Sequence, residues 1–65
     1  MKNNIRKIIN KQNLKVKDVI VNSKVSKSYF YDVMNGKIMP SLKKANDISK
    51  ALNTTVQELF LNEEE

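Results

Sequence analysis

Between two stretches whose apolar residues recur at helical spacing, the chain leaves only residues 22–25. A connection that short forces two consecutive helices into a steep corner. In the first stretch, residues 16–21, Val16, Val19 and Ile20 repeat at i, i+3 and i+4, the period of one helix face. Its β-branched residues would also suit a strand, but neither period-2 alternation nor a hairpin turn accompanies them. In the second stretch Ser26 is placed to cap a helix whose Phe30, Val33 and Met34 share a face, and Asn35-Gly36 is placed to stop it. With 65 residues in all, there is room for one small domain around this corner and none for a second.

Three further helices complete the reading. Ile5, Ile8 and Ile9 form one face of a first helix, with Asn3 or Asn4 as cap and Asn13 able to end it in the left-handed region. After a loop over residues 37–40, Ser41 caps a longer helix whose expected core stripe is Leu42, Ala45, Ile48, Ala51 and Leu52, ended by Asn53. The last helix opens on Thr55 and Glu58 at capping-box spacing and is anchored by Leu59 and Phe60. The expected fold is all-α, a compact bundle of five helices over residues 1–61. Residues 62–65 are expected to be a frayed acidic tail, because Glu63, Glu64 and Glu65 repel one another and oppose the helix dipole.

Composition removes most small-domain chemistry. Without Cys or His the chain has no disulfide, zinc finger, Cys or His nucleophile or imidazole proton shuttle, and no cofactor or metal is expected. Asp18 and Asp32 lie on different helices, no nucleophile, base and donor can be assembled, and an enzyme is not expected. No apolar run reaches the roughly 20 residues of a membrane span, and the N-terminus lacks the apolar stretch of a signal peptide, so the expected location is the cytoplasm, with no membrane partner and no evident small-molecule ligand. Charge is polarised. Residues 1–44 carry eleven basic groups against Asp18 and Asp32, a net +9, while residues 45–65 carry a net −4. A basic face of this kind attracts polyanions, nucleic acid above all, although a solvated lysine-rich surface gives the same count.

The corner makes a helix-turn-helix. Residues 14–42, LKVKDVIVNSKVSKSYFYDVMNGKIMPSL, resemble the Cro/repressor (XRE-like, lambda-repressor-like) family of phage and bacterial regulators. The resemblance rests on Val25-Ser26 opening the second helix, on Phe30 and Val33, on the closure Asn35-Gly36-Lys37 and on Pro40-Ser41-Leu42. The run from Ala51 to Phe60, A-L-x-x-T-V-x-E-L-F, extends it over nearly the whole chain. It implies a sequence-specific duplex-DNA-binding regulator in which the second helix of the corner enters the major groove. It also implies that the backbone at Asn35 and Gly36, with Lys37, holds a DNA strand beyond that helix. Four positions depart from the family pattern: Val16 stands where a phosphate-binding Gln is usual, Ile20 where a small Ala is, Lys24 where the turn Gly is and Ser23 where an aliphatic is. Ile20 implies a wider helix crossing or a repacked core, and Lys24 implies strain if its φ stays positive.

Opposite the apolar trio of the recognition helix lie Ser28, Tyr31, Asp32 and Asn35, with Lys27 and Tyr29 on the flanks. Base reading is assigned to Lys27, Ser28, Tyr31 and Asp32. Lys27 suits guanine O6 and N7, Asp32 suits cytosine N4, Ser28 suits either, and Tyr31 suits a thymine methyl or a phosphate. Asp32 also suits a pair with Lys27 or Tyr31 or a role in rejecting wrong sites, and Tyr29 and Tyr31 also suit partly packed rim positions. Phosphate contacts are assigned to Lys15 and Lys17 at the start of the preceding helix, to Ser26, Tyr29, Asn35, Gly36 and Lys37, and to Lys43, which with Lys44 sits where a helix dipole disfavours cations. A single recognition helix makes few base contacts, so a homodimer on an inverted repeat is expected, with Val56, Phe60 and Leu61 as its interface or, alternatively, as monomer core. Repression by blocking polymerase is the simplest mode of action. An antitoxin with a protein partner, or a protein-interaction module of the same fold, is the alternative, favoured by Val16 and Asp32.

Overall fold

The ends of the helices are written into a few polar side chains and left-handed residues. The computed structural model describes residues 3–60. It has α1 (Ile5–Lys11), α2 (Val16–Ser23), α3 (Lys27–Met34), α4 (Leu42–Ala51) and α5 (Val56–Phe60), and no strand among the described residues. The Ser26 hydroxyl accepts the Tyr29 N–H at 3.1 Å, Ser41 accepts the Lys44 N–H at 3.3 Å, and Thr55 accepts the Glu58 N–H at 3.1 Å. Each satisfies a backbone donor that a helix start leaves open. At the first helix the cap is shifted by one position: the Asn4 side chain makes no cap bond, and Asn3 Oδ1 accepts the Ile5 N–H instead.

Three helix ends close in the same way. Asn13 (φ 59°), Gly36 (φ 79°) and Asn53 (φ 55°) turn left-handed. The next N–H then reaches back, Leu14 to Ile9 O at 3.0 Å, Lys37 to Asp32 O at 2.8 Å and Thr54 to Ser49 O at 2.9 Å. This is the Schellman closure. Of the Asn35-Gly36 pair only the glycine takes positive φ; Asn35 stays at −84°. Lys24, at the end of α2, is left-handed too (φ 62°). A lysine has no side chain that stabilises this conformation, and holding it there costs roughly 1 kcal/mol.

Every helix contributes to one core, with Ile5 and Ile9, Val19, Phe30 and Val33, Ile48, and Leu59 joined by Leu52. The principal helix–helix contact is α2 on α4, which places the corner of α2 and α3 on a rigid support. The two N-terminal asparagines tie the bundle across its ends. Asn3 Nδ2 donates to Val33 O at 2.7 Å, Asn4 Nδ2 to Glu58 O at 2.8 Å and the Asn4 N–H to Leu59 O at 2.7 Å. Gln12 does the same at the other end, donating to Leu52 O at 2.6 Å.

Leu42 corrects the expected stripe of α4. It is 73% exposed, while Ala45, Ile48 and Ser49 are buried. Leu42 is the first residue after the cap, and side chains of a first turn lean back beyond the helix end, past the core. Ser49 is buried in its place, its hydroxyl donating to Asn46 O at 2.9 Å. Ser23, which stands where an aliphatic is usual, is fully buried and donates to Ile20 O at 3.1 Å. Ile20 is half-buried against the core rather than at its centre. The expected tail over residues 62–65, and Leu61 with it, lie outside the described residues.

Candidate nucleic-acid interface

The recognition helix α3 is anchored by Phe30 and Val33, both fully buried, and by Met34. Burial of that trio fixes the rotation of the helix and leaves Lys27, Ser28 and Asn35 exposed. Tyr31 and Asp32 are half-buried, so the outer face of α3 mixes exposed polar groups with partly packed ones. Tyr31 meets the Phe30 ring edge-on, with centroids 6.3 Å apart, and both tyrosines pack against the core. Their apolar faces serve the fold while their hydroxyls remain available. The Asp32 carboxylate has no ion-pair partner among the described residues, where the ion pair is Lys43 with Asp47.

Lys17, Lys27 and Tyr31 come together at the corner. With Ile20 and Val21 they line an open cleft of about 370 Å³ between α2 and α3. The departure at Ile20 is therefore felt here, in the apolar lining that Ile20 and Val21 give the cleft. Lys15 occupies the cap position of α2 in extended backbone (φ −99°, ψ 132°) and is exposed, as is Lys17. Val16 points a half-buried side chain toward the core, which braces the start of α2 by packing and leaves no amide there for a phosphate.

The closure after α3 works differently from the expectation. The N–H groups of Asn35, Gly36 and Lys37 donate to Tyr31 O, Val33 O and Asp32 O at 2.9, 3.0 and 2.8 Å. These amides finish the helix, so what the closure offers an anion is side chains. Asn35 and Lys37 are exposed, and Arg6 from α1 reaches the same place, its Nη2 donating to Asn35 Oδ1 at 3.4 Å. Sequence reasoning does not single out Arg6. It is 29 positions from Asn35, and its only sign in the sequence is the basic character of the first helix.

On the other side, Lys44 Nζ stands 5.7 Å from the centroid of the Tyr29 ring, which binds the first turn of α4 to the first half of α3. This cation–π contact holds a lysine where the dipole of α4 disfavours it. Lys43 points away to Asp47 at 3.5 Å with its side chain 85% exposed. Such a largely exposed pair is weak. Of the expected dimer residues, Val56 and Phe60 are half-buried, and Phe60 packs on the core.

The chain thus carries cationic or polar groups at both ends of α3, at the start of α2 and at the start of α4, around one helix with exposed polar side chains. Among the described residues no helix is long and apolar enough to cross a membrane. A family model described as Helix-turn-helix matches residues 5–59, from the first residue of α1 to the buried Leu59 of α5. No curated protein matches the chain.

Proposed function

The chain belongs to the Cro/XRE-like helix-turn-helix family of DNA-binding transcription regulators, and we propose that it is a repressor acting as a homodimer on an inverted-repeat operator. The observation that carries this reading is the arrangement around α3. A buried trio locks its rotation, and exposed Lys27, Ser28 and Asn35 lie between cations drawn from α1, α2 and α4. In this reading Lys27, Ser28, Tyr31 and Asp32 read base edges. Lys15, Lys17, Ser26, Tyr29, Asn35, Lys37 and Lys43 hold phosphates, Arg6 joins them, and Gly36 lets the strand come close.

Size supports two copies. The longest extent of the molecule is 33 Å, and half-sites one helical turn apart are separated by about 34 Å. Two copies therefore fit side by side on one face of a duplex. Val56 and Phe60 are the described residues we assign to their contact, together with Leu61, and the domain we assign spans residues 1–61. Repression follows from occupancy alone, since a bound dimer excludes polymerase from the same stretch of promoter. The protein-partner reading, an antitoxin or interaction module, is favoured by Val16, which leaves no amide for a phosphate, and by the acidic Asp32 on α3.

A salt titration separates the two. The five cations assigned to phosphates in each copy give a log-log slope of about −4.5 per protomer for duplex binding, whereas a module that binds protein alone retains no duplex at physiological salt. Lys37→Ala and Arg6→Ala should each weaken all duplexes alike and flatten that slope by about 1, while Ser28→Ala and Tyr31→Ala should change which sequences are preferred. Equal losses on every duplex for all four variants would remove the base-reading assignment.

A further inference from the structure

The large apolar side chains most exposed to solvent are Val21 on α2 and three that fall together: Ile38, Met39 and Leu42, at 39%, 57% and 73% exposure. Pro40 in their midst is buried. The loop is thus pinned at its centre with its apolar neighbours turned outward, and folding gives no reason for that. Cations bracket the strip, Lys37 before it and Lys43 and Lys44 after it. Both of its ends are held to α3, through the closure Lys37 N–H to Asp32 O at 2.8 Å and through Lys44 over the Tyr29 ring.

We propose that Ile38, Met39 and Leu42 pack on the deoxyribose edge of the duplex minor groove beside the groove that α3 enters. The inference rests on the DNA-binding reading above. Along a strand a duplex offers phosphate, sugar, phosphate, which is anionic, apolar, anionic, and the strip offers its complement. Leu, Ile and Met are among the apolar side chains that proteins of the minor groove insert into it. A second copy is the less fitting occupant. A two-fold contact sets a patch against itself, and here it would bring the Lys37 end of one copy against the Lys43 end of the other, cation against cation.

The test is Met39→Ser with Leu42→Ser, two exposed positions whose replacement leaves the core intact, checked by an unchanged melting temperature. The probe is a pool of short random-sequence duplexes. We expect binding about tenfold weaker at every salt concentration with the log-log slope unchanged, because the double variant gives up apolar packing alone and no phosphate neutralisation. A ligand of the netropsin class that fills the minor groove should weaken the unaltered protein and have little effect on the double variant. Unchanged affinity and unchanged netropsin sensitivity would overturn the proposal. So would a variant whose self-association falls in sedimentation while its duplex affinity per protomer holds, which would give the strip to a second copy. If the unaltered protein retains no duplex at all, the DNA-binding reading fails first and this inference falls with it.

Discussion

Single residues hold this bundle at points where the backbone has no alternative partner. Lys24 is left-handed at φ 62° in the turn of the corner, and Gly there removes the clash of its Cβ with the backbone. Lys24→Gly should raise stability by roughly 0.5–1 kcal/mol, a melting temperature about 3–6 °C higher. The same change at Asn13 or Asn53 should gain less, since asparagine tolerates that conformation. Asn3 both accepts the Ile5 N–H and donates to Val33 O. Asn3→Ala should cost about 1–2 kcal/mol in a denaturant titration, because it uncaps α1 and unties it from α3. The capping hydroxyls and left-handed asparagines are readable in the sequence because each acts within a few residues of itself. The bond from Arg6 to Asn35 is not, since it exists only after α1 and α3 have docked.

Among the elements, α3 and α4 start on the same device, a serine hydroxyl accepting the N–H three residues on. Ser41→Ala should cost about 1 kcal/mol of stability, leaving duplex affinity unchanged well below the melting temperature. Ser26→Ala should cost the same stability and weaken duplex binding as well, if its hydroxyl also meets a phosphate. Binding isotherms and melts of the two variants make the comparison. The five helices are legible because apolar spacing and stop residues agree with one another along most of the chain. Leu42 reads as core and is not, since spacing places a residue on a face without saying whether the helix has yet reached the core. The closure of α3 reads as a source of amides for phosphate and is not, since the Schellman bonds that consume them depend on which of Asn35 and Gly36 turns left-handed.

At the scale of the whole chain, charge divides along the sequence, +9 over residues 1–44 and −4 over residues 45–65. The helices of the first part, α2 and α3 above all, carry the groups we assign to DNA, and the acidic remainder lowers the net charge of each copy to +5, which reduces the repulsion between two copies. That division is legible from the sequence, as are the helix-turn-helix and its family. How the cations group around α3 requires the fold. The most direct test of a dimeric, sequence-reading regulator is selection from random duplexes by the purified protein, near physiological salt and with non-specific competitor. The account predicts enrichment of an inverted repeat whose half-sites lie one helical turn apart. A pool that stays random, bound weakly and released by salt, would contradict it.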